Sequence, residues 1–313
     1  MDYEEGTDLT NATFKAITPE ESRQFLVQET IFTLFCVVGI CADAAIIYTI
    51  FCFKRLHSVP NIFLANWAIA DLCSLIVTPS SYRIISVIES VSVSQEFICF
   101  LFHTDLIFHS TAMVFMIVLS LDWCLSAFFR RVLESFRNYY KVIIGSIWVI
   151  ALLLCSISTR LCIKRMYHFI PGYLLLFCYC TLLLFVGALQ LFRSTRKIIK
   201  REPTNHPTLM LTLATIFVLN WLVGLSNFLV YELGGPDYHW LVTIFAQCII
   251  FTSSIINFIL MYRFNNDFHA CVCQALKRSD ERYVNAICEL GTSDRSTNIT
   301  CQNASGHELM ENA

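Results

Sequence analysis

The sequence predicts an all-α fold, a bundle of seven transmembrane helices, and three observations predict it. Of 313 residues, 56% are hydrophobic and only 15% charged, with a mean hydropathy of +0.60; a water-soluble core cannot hide that much apolar surface. Seven apolar runs recur, each long enough to cross about 30 Å of hydrocarbon at roughly 20 residues per crossing. These runs lack the polar face at helical period that a soluble helical bundle would need.

Taken in order, the runs cover about 28–53, 61–86, 97–128, 141–159, 167–192, 208–232 and 239–262. The narrowest boundary is the fourth, where only Arg160 to Tyr167 separate two runs and form a short loop. Ionisable side chains inside such runs are costly in a bilayer and usually mark a polar cavity, a partner or a function. Asp43 in the first run, Asp71 in the second and Asp105 in the third are therefore the residues to explain. The whole divides into a tail at 1–27, a transmembrane domain at 28–263, a segment at 264–280 and a polar tail at 281–313 whose composition predicts disorder.

Orientation follows from the basic residues. Lys54, Arg55, Arg130, Arg131, Arg137, Lys141, Arg193, Arg196, Lys197, Lys200, Arg201 and Arg263 lie on one side, and the residues after the last run add more. The opposite side has Lys15, Arg23, Arg83, Arg160, Lys164 and Arg165. The positive-inside rule puts the first group in the cytoplasm and the N-terminus outside, as expected for a multi-pass plasma-membrane protein. The start, Met1-Asp-Tyr-Glu-Glu, is acidic and has no apolar h-region, so no cleavable signal peptide is expected and the first run inserts itself. The basic stretch Arg193–Arg201 suits a cytoplasmic partner, and equally the solvated flank of any membrane protein. A formal charge of −2 without a basic stripe gives no reason to expect nucleic acid. No residue pattern suggests catalysis or a metal ligand set, so neither enzyme activity nor a cofactor is expected.

Most of the 15 cysteines lie in apolar runs, where a thiol behaves as a small hydrophobe. Cys99 opens the third run on the outer side and Cys162 lies in the short outer loop; both face an oxidising compartment, which favours a disulfide between them. Cys271 and Cys273 follow the last run at the inner face, where palmitoylation is expected.

The second run, Asn61-Ile-Phe-Leu-Ala-Asn-Trp-Ala-Ile-Ala-Asp71-Leu, matches almost throughout the second-helix pattern of the rhodopsin-like (class A) G-protein-coupled receptors, and the chain resembles that family from about residue 28 to 275. Trp148 matches its lone fourth-helix tryptophan. Phe217-Val-Leu-Asn220-Trp221-Leu-Val223 is similar to the sixth-helix F-x-x-C-W-x-P, and Ser253–Met261 to the segment ending N-P-x-x-Y. Arg263-Phe-Asn-Asn-Asp-Phe268-His269 looks like the start of the family's short amphipathic membrane-surface helix, here 264–280. The resemblance implies a receptor that passes an extracellular ligand's signal to a heterotrimeric G protein.

The departures are specific. Ala42-Asp43 replaces Gly-Asn in the first helix, and Asp122-Trp123-Cys124 replaces Asp-Arg-Tyr at the end of the third. Val223, Phe258 and Met261 replace the sixth-helix proline, the seventh-helix proline and its tyrosine; Cys99 sits one residue nearer the Asp122 motif than the family spacing. Trp123 offers one neutral donor and a bulky ring, so the arginine's charged roles do not transfer to it. Losing two prolines removes two built-in kinks. A receptor-like protein that binds ligand or another receptor without coupling is the alternative these losses favour. A proton or cation transporter using Asp43, Asp71 and Asp105 is a further alternative, against which the chain shows neither internal repeats nor broken helices.

Asp71, Ser253, Ser254 and Asn257 resemble the family's sodium pocket, with Ala112 in place of a third-helix serine and Asp43 expected close by. Two such carboxylates cannot cheaply both ionise, so either a cation bridges them in a cation- or proton-sensitive switch, or they share a proton in a structural pair. Asp105, 17 residues before Asp122, stands where amine receptors of the family grip an ammonium. His109 lies one turn away on the same helical face. Leu222 to Leu225, after Trp221, lack the aromatic pair of an amine site. A peptide or other polar ligand held by Asp105, His109, Lys164 and Trp221 is therefore favoured over an amine; a structural Asp105 paired with a histidine or lysine is the other reading. Pro171 and Tyr179 keep the family's fifth-helix separation, but Tyr179 lies far from the cytoplasm if Pro171 opens the helix. No lysine falls in the seventh run, which excludes a retinal Schiff base.

Asn11-Ala12-Thr13 is a glycosylation sequon on the expected outer side; Asn298-Ile-Thr and Asn303-Ala-Ser fall on the inner side, where they cannot be used. Glycosylation mapping in cells is expected to find sugar on Asn11. Sugar on Asn298 instead reverses the orientation.

Overall fold

A computed structural model describes residues 19–78, 95–164, 170–196, 206–234 and 240–277. Among these residues the chain is helical and has no strand. The elements are α1 (Pro19–Cys52), a 3-10 turn (Lys54–Leu56), α2 (Val59–Val77), α3 (Gln95–Phe128), α4 (Arg130–Asn138), α5 (Tyr140–Ile163), α6 (Ile170–Arg196), α7 (His206–Gly234), α8 (Trp240–Phe264) and α9 (Asn266–Lys277). Six helices, α1, α2, α3, α5, α6 and α7, contain stretches long and apolar enough to cross a membrane. The seventh expected span is α8, which reaches that standard together with α9, bent 101° from it.

The local chemistry accounts for the breaks. Pro60 falls at the start of α2, where its missing N–H and fixed φ cost nothing. Phe129 leaves the helical conformation (φ −132°, ψ 60°) and separates α3 from α4. At the α8–α9 corner the Asn265 side-chain oxygen accepts the backbone N–H of Phe268 at 3.1 Å, capping α9. An Arg55–Asp267 ion pair at 2.5 Å and the buried ring of Phe268 against the half-buried Phe258, 6.0 Å apart, hold α9 against the bundle.

The structure differs from the sequence expectation in two places. Residues 160–163 are not a loop: no proline or glycine follows Gly145 in α5, which runs on to Ile163, so Cys162 sits in its last turn. Helix α2 covers Val59–Val77; the rest of the expected second span, 79–86, lies outside the described residues. Helix α4 was not anticipated. It is short and highly charged, and it is pinned by the buried Leu133 and by Phe136 packing on Phe63, 5.8 Å between ring centroids.

Helix α3 is the axis of the bundle, touching α2, α5, α6 and α7, while α1 packs on α2 and α8 and α7 packs on α8. The Trp148 indole N–H donates to the Asn66 side-chain oxygen at 2.9 Å and ties α5 to α2. Trp148 also packs on Phe108 and Phe115 of α3. Gly39 lets α1 approach closely, since a Cβ there would meet the Leu75 side chain at 2.9 Å. Helix α5 turns most of its apolar surface outward: Val142, Val149, Ile150, Leu152, Leu153 and Ile157 are each more than half exposed. A soluble domain does not leave such a face bare, whereas lipid covers it without cost. A disulfide joins Cys99 to Cys162 and fastens the first turns of α3 to the last turn of α5. It marks one end of the bundle; α4 marks the other.

Candidate functional site

The polar side chains of the interior fall into three groups. The innermost lies where α1, α2 and α8 meet. Asp43, Asp71, Ser253, Ser254 and Asn257 are all buried there. The Ser254 hydroxyl donates to Asp71 Oδ2 at 2.5 Å, and Asp43 faces both Asp71 and Ser254. Among the described residues, neither carboxylate oxygen of Asp43 nor either amide atom of Asn257 has a hydrogen-bond partner. Helix α2 positions Asp71 and α1 positions Asp43, and neither has a lysine or arginine within its apolar stretch, Val59–Val77 and Thr30–Cys52.

The second group lies toward the disulfide end, between α2, α3 and α7. Asp105 Oδ1 accepts from Ser74 Oγ at 2.8 Å and from Thr78 Oγ1 at 2.8 Å. His109 Nε2 is 2.9 Å from the same Ser74 hydroxyl and 3.6 Å from Asp105 Oδ1. The His109 ring meets Trp221 edge-on at 5.0 Å, Trp221 meets Phe217 at 6.2 Å, and Phe217 meets Trp67 at 6.1 Å. His109 also lies within electrostatic reach of Asp71, so the second group borders the first. The structure therefore brings Asp105, His109 and Trp221 together. Lys164 does not join them: it caps α5, exposed, with no ion pair to Asp105 among the described residues. Asp105 pairs with hydroxyls and a histidine of its own bundle, and not with a lysine.

The third group lies at the α4 end. Asp122 is buried and receives two parallel bonds from Arg137 of α4, Nε to Oδ1 at 2.9 Å and Nη2 to Oδ2 at 2.8 Å. Hydrogen bonding to Asp122 pushes the Arg137 guanidinium above its ordinary value, against the opposing effect of burial. Trp123 is buried; its ring stands edge-on to Phe128 at 6.2 Å, and Phe128 stands edge-on to Phe192 of α6 at 4.8 Å. Cys124 is half-buried beside them. A tryptophan where an arginine was expected thus joins α3 to α6 through apolar rings.

Elsewhere, Pro171 stands in the first turn of α6, and the Tyr179 hydroxyl reaches the Val218 carbonyl at 3.5 Å in the middle of the bundle, away from the α4 end. Cys271 is buried and burial pushes its thiol up, whereas Cys273 is exposed with Tyr262 Oη and His269 Nε2 each 3.9 Å away. Asn11, Asn298 and Asn303 lie outside the described residues.

Three participants were missed in the sequence. Ser74 and Thr78 follow Asp71 by three and seven residues, on the same helical face, a spacing that marks them as partners for a third-helix acid. Arg137 was counted only as a topology charge. Its signal was the run Arg130–Asn138, with Leu133 and Phe136 at helical spacing among charges.

No family model matches the chain. Over 63 residues it is 32% identical to the type-1 angiotensin II receptors of Meleagris gallopavo and Gallus gallus, a stretch covering 20% of this chain and 18% of each relative. Over 99 residues it is 28% identical to the type-1 angiotensin II receptor of Homo sapiens, covering 31% of this chain and 27% of that protein. The matched stretches thus span less than a third of these curated relatives. The likeness, with the apolar helical bundle, supports a receptor-type function and a multi-pass membrane protein.

Ser74 serves both Asp105 and His109, whereas Ser110 bonds only to the Leu106 carbonyl of its own helix. Leaving a largely desolvated acceptor short of a donor costs about 1–3 kcal/mol. Ser74→Ala is expected to lower the thermal midpoint of the detergent-purified chain clearly more than Ser110→Ala; equal shifts contradict the shared-hydroxyl arrangement.

Proposed function

We propose that the chain is a rhodopsin-like G-protein-coupled receptor of the plasma membrane. Its disulfide end is extracellular, with the N-terminus on that side, and its α4 end is cytoplasmic. A ligand at the outer cluster shifts a bundle equilibrium that a heterotrimeric G protein reads. The observation that carries this reading is the unbroken line of contacts from Asp105 and His109 through Trp221 and Phe217 to Trp67. A group that displaces the Ser74 or Thr78 hydroxyl from Asp105, or turns His109, presses directly on Trp221.

The chemistry favours a peptide or another ligand with several polar groups over a simple amine. One oxygen of Asp105 already accepts two hydroxyls and has His109 beside it, so a lone ammonium gains little by replacing them. In the core, the carboxylates of Asp43 and Asp71, the Asn257 amide and the Ser253 and Ser254 hydroxyls form a mainly oxygen donor set of the kind a small hard cation takes. The uncommitted oxygens of Asp43 and Asn257 fit a sodium ion, which would supply the positive charge the two carboxylates lack. Of the two tail cysteines, Cys273 is the accessible candidate for palmitoylation.

A second reading is favoured by one observation: Trp123 is packed against Phe128, which carries the contact on to Phe192, and offers no charge to a G protein. On that reading the chain binds ligand or another receptor and stays silent. Basal activation of each G-protein class in cells, for the native chain and for Trp123→Arg, separates the two. The native chain is expected to activate at least one class above mock-transfected cells, with no gain from the arginine. Activity only after the arginine is restored supports the silent receptor.

A further inference from the structure

The Asp122–Arg137 pair is not explained by the packing of α3 alone. Asp122 lies one residue before Trp123, and in this chain its arginine comes from a separate short helix, fifteen residues on. The pair is bidentate and Asp122 is buried, while Arg137 keeps about a third of its side chain exposed (37%, against 5% for Asp122). A planar guanidinium held on one edge and open on the other can pass from one carboxylate to a second without losing its geometry. Beside it lies a cavity of about 340 Å³ lined by Ser126, Arg130, Leu133, Glu134 and Arg137, two guanidiniums against one carboxylate. Helix α4 is otherwise held by little, with Leu133 as its only buried side chain. Its position therefore rests on two apolar side chains, the buried Leu133 and Phe136 against Phe63, and one ion pair.

We infer that Arg137 is the switch arginine of the α4 end: Asp122 holds it in the resting arrangement, and on release it binds a carboxylate of the cytoplasmic partner entering the adjoining cavity. Trp123 keeps the α3–α6 contact apolar, and the charged role is carried by the neighbouring helix. The occupant is an acidic segment of a protein partner because the cavity is net positive and lined by side chains that reach carboxylates as paired donors. This inference rests on the coupled-receptor reading only for the identity of that partner.

Two measurements on the full-length chain test it. In lipid nanodiscs, hydrogen exchange of residues 129–139 reports how firmly α4 is latched. Asp122→Asn and Arg137→Gln are each expected to speed exchange there by about tenfold, the loss of a charged hydrogen-bond pair, and the exchanged pair Asp122→Arg with Arg137→Asp to recover much of the protection. Unchanged exchange in both single variants, or no recovery in the exchanged pair, overturns the latch. In cells, Asp122→Asn frees an intact Arg137 and is expected to raise basal G-protein activation, whereas Arg137→Gln, alone or combined with Asp122→Asn, does not. A rise with Arg137→Gln equal to that with Asp122→Asn overturns the contact role. If exchange loosens as expected while neither the native chain nor any variant activates a G protein, the coupled-receptor reading fails and the latch is supported.

Discussion

Two carboxylates buried side by side in apolar helices set the terms for this bundle. Asp43 and Asp71 face each other where α1, α2 and α8 converge, with no ion pair to a lysine or arginine among the described residues. Desolvating one such charge is expensive, and desolvating two at close range is more so unless a proton or cation accompanies them. The surrounding structure answers that cost locally. Ser254 donates to Asp71, Gly39 lets α1 lie close to α2, and His109 stands within electrostatic reach. Helices α1, α2, α3 and α8 are thereby fixed around one polar point, and the apolar packing of the bundle is arranged about it.

From that point the organisation runs to both ends. Toward the disulfide, Ser74 and Thr78 of α2 hold Asp105 of α3, and His109 passes the contact to Trp221. Toward α4, the aromatic rings of Trp123, Phe128 and Phe192 join α3 to α6, while the charge of Asp122 is taken up by Arg137. The two ends thus differ in kind. The cluster toward the disulfide is a network of two hydroxyls and an imidazole around one acid. The α4 end separates apolar packing and ion pairing onto different residues, so one can change while the other holds.

How much of this was legible in the sequence depends on the range of the interaction. Span positions followed from apolar run length, and helix ends matched closely where a proline or polar stretch stopped them. The α5 end was misplaced because charged Arg160 and Lys164 were read as loop when nothing there breaks a helix. Asp43 as neighbour of Asp71, and Asp105 with His109, were legible from helical spacing and from the family resemblance. Lys164 was not, because its direction depends on where α5 ends. The Asp122–Arg137 bond was invisible for the same reason: an arginine in a charged loop looks solvated until α4 folds back and turns it toward α3.

The carboxylate pair also supplies the most direct test of the whole arrangement, through the thermal midpoint of the purified chain with Asp43 changed to asparagine. An asparagine keeps the shape, removes one like charge and offers Asp71 a donor. If the two side chains face each other in the buried core as described, Asp43→Asn retains or raises the midpoint in sodium-free buffer. A marked fall, as when one partner of a buried opposite-charge pair is removed, would mean that Asp43 pairs with a cationic group elsewhere and would contradict the account.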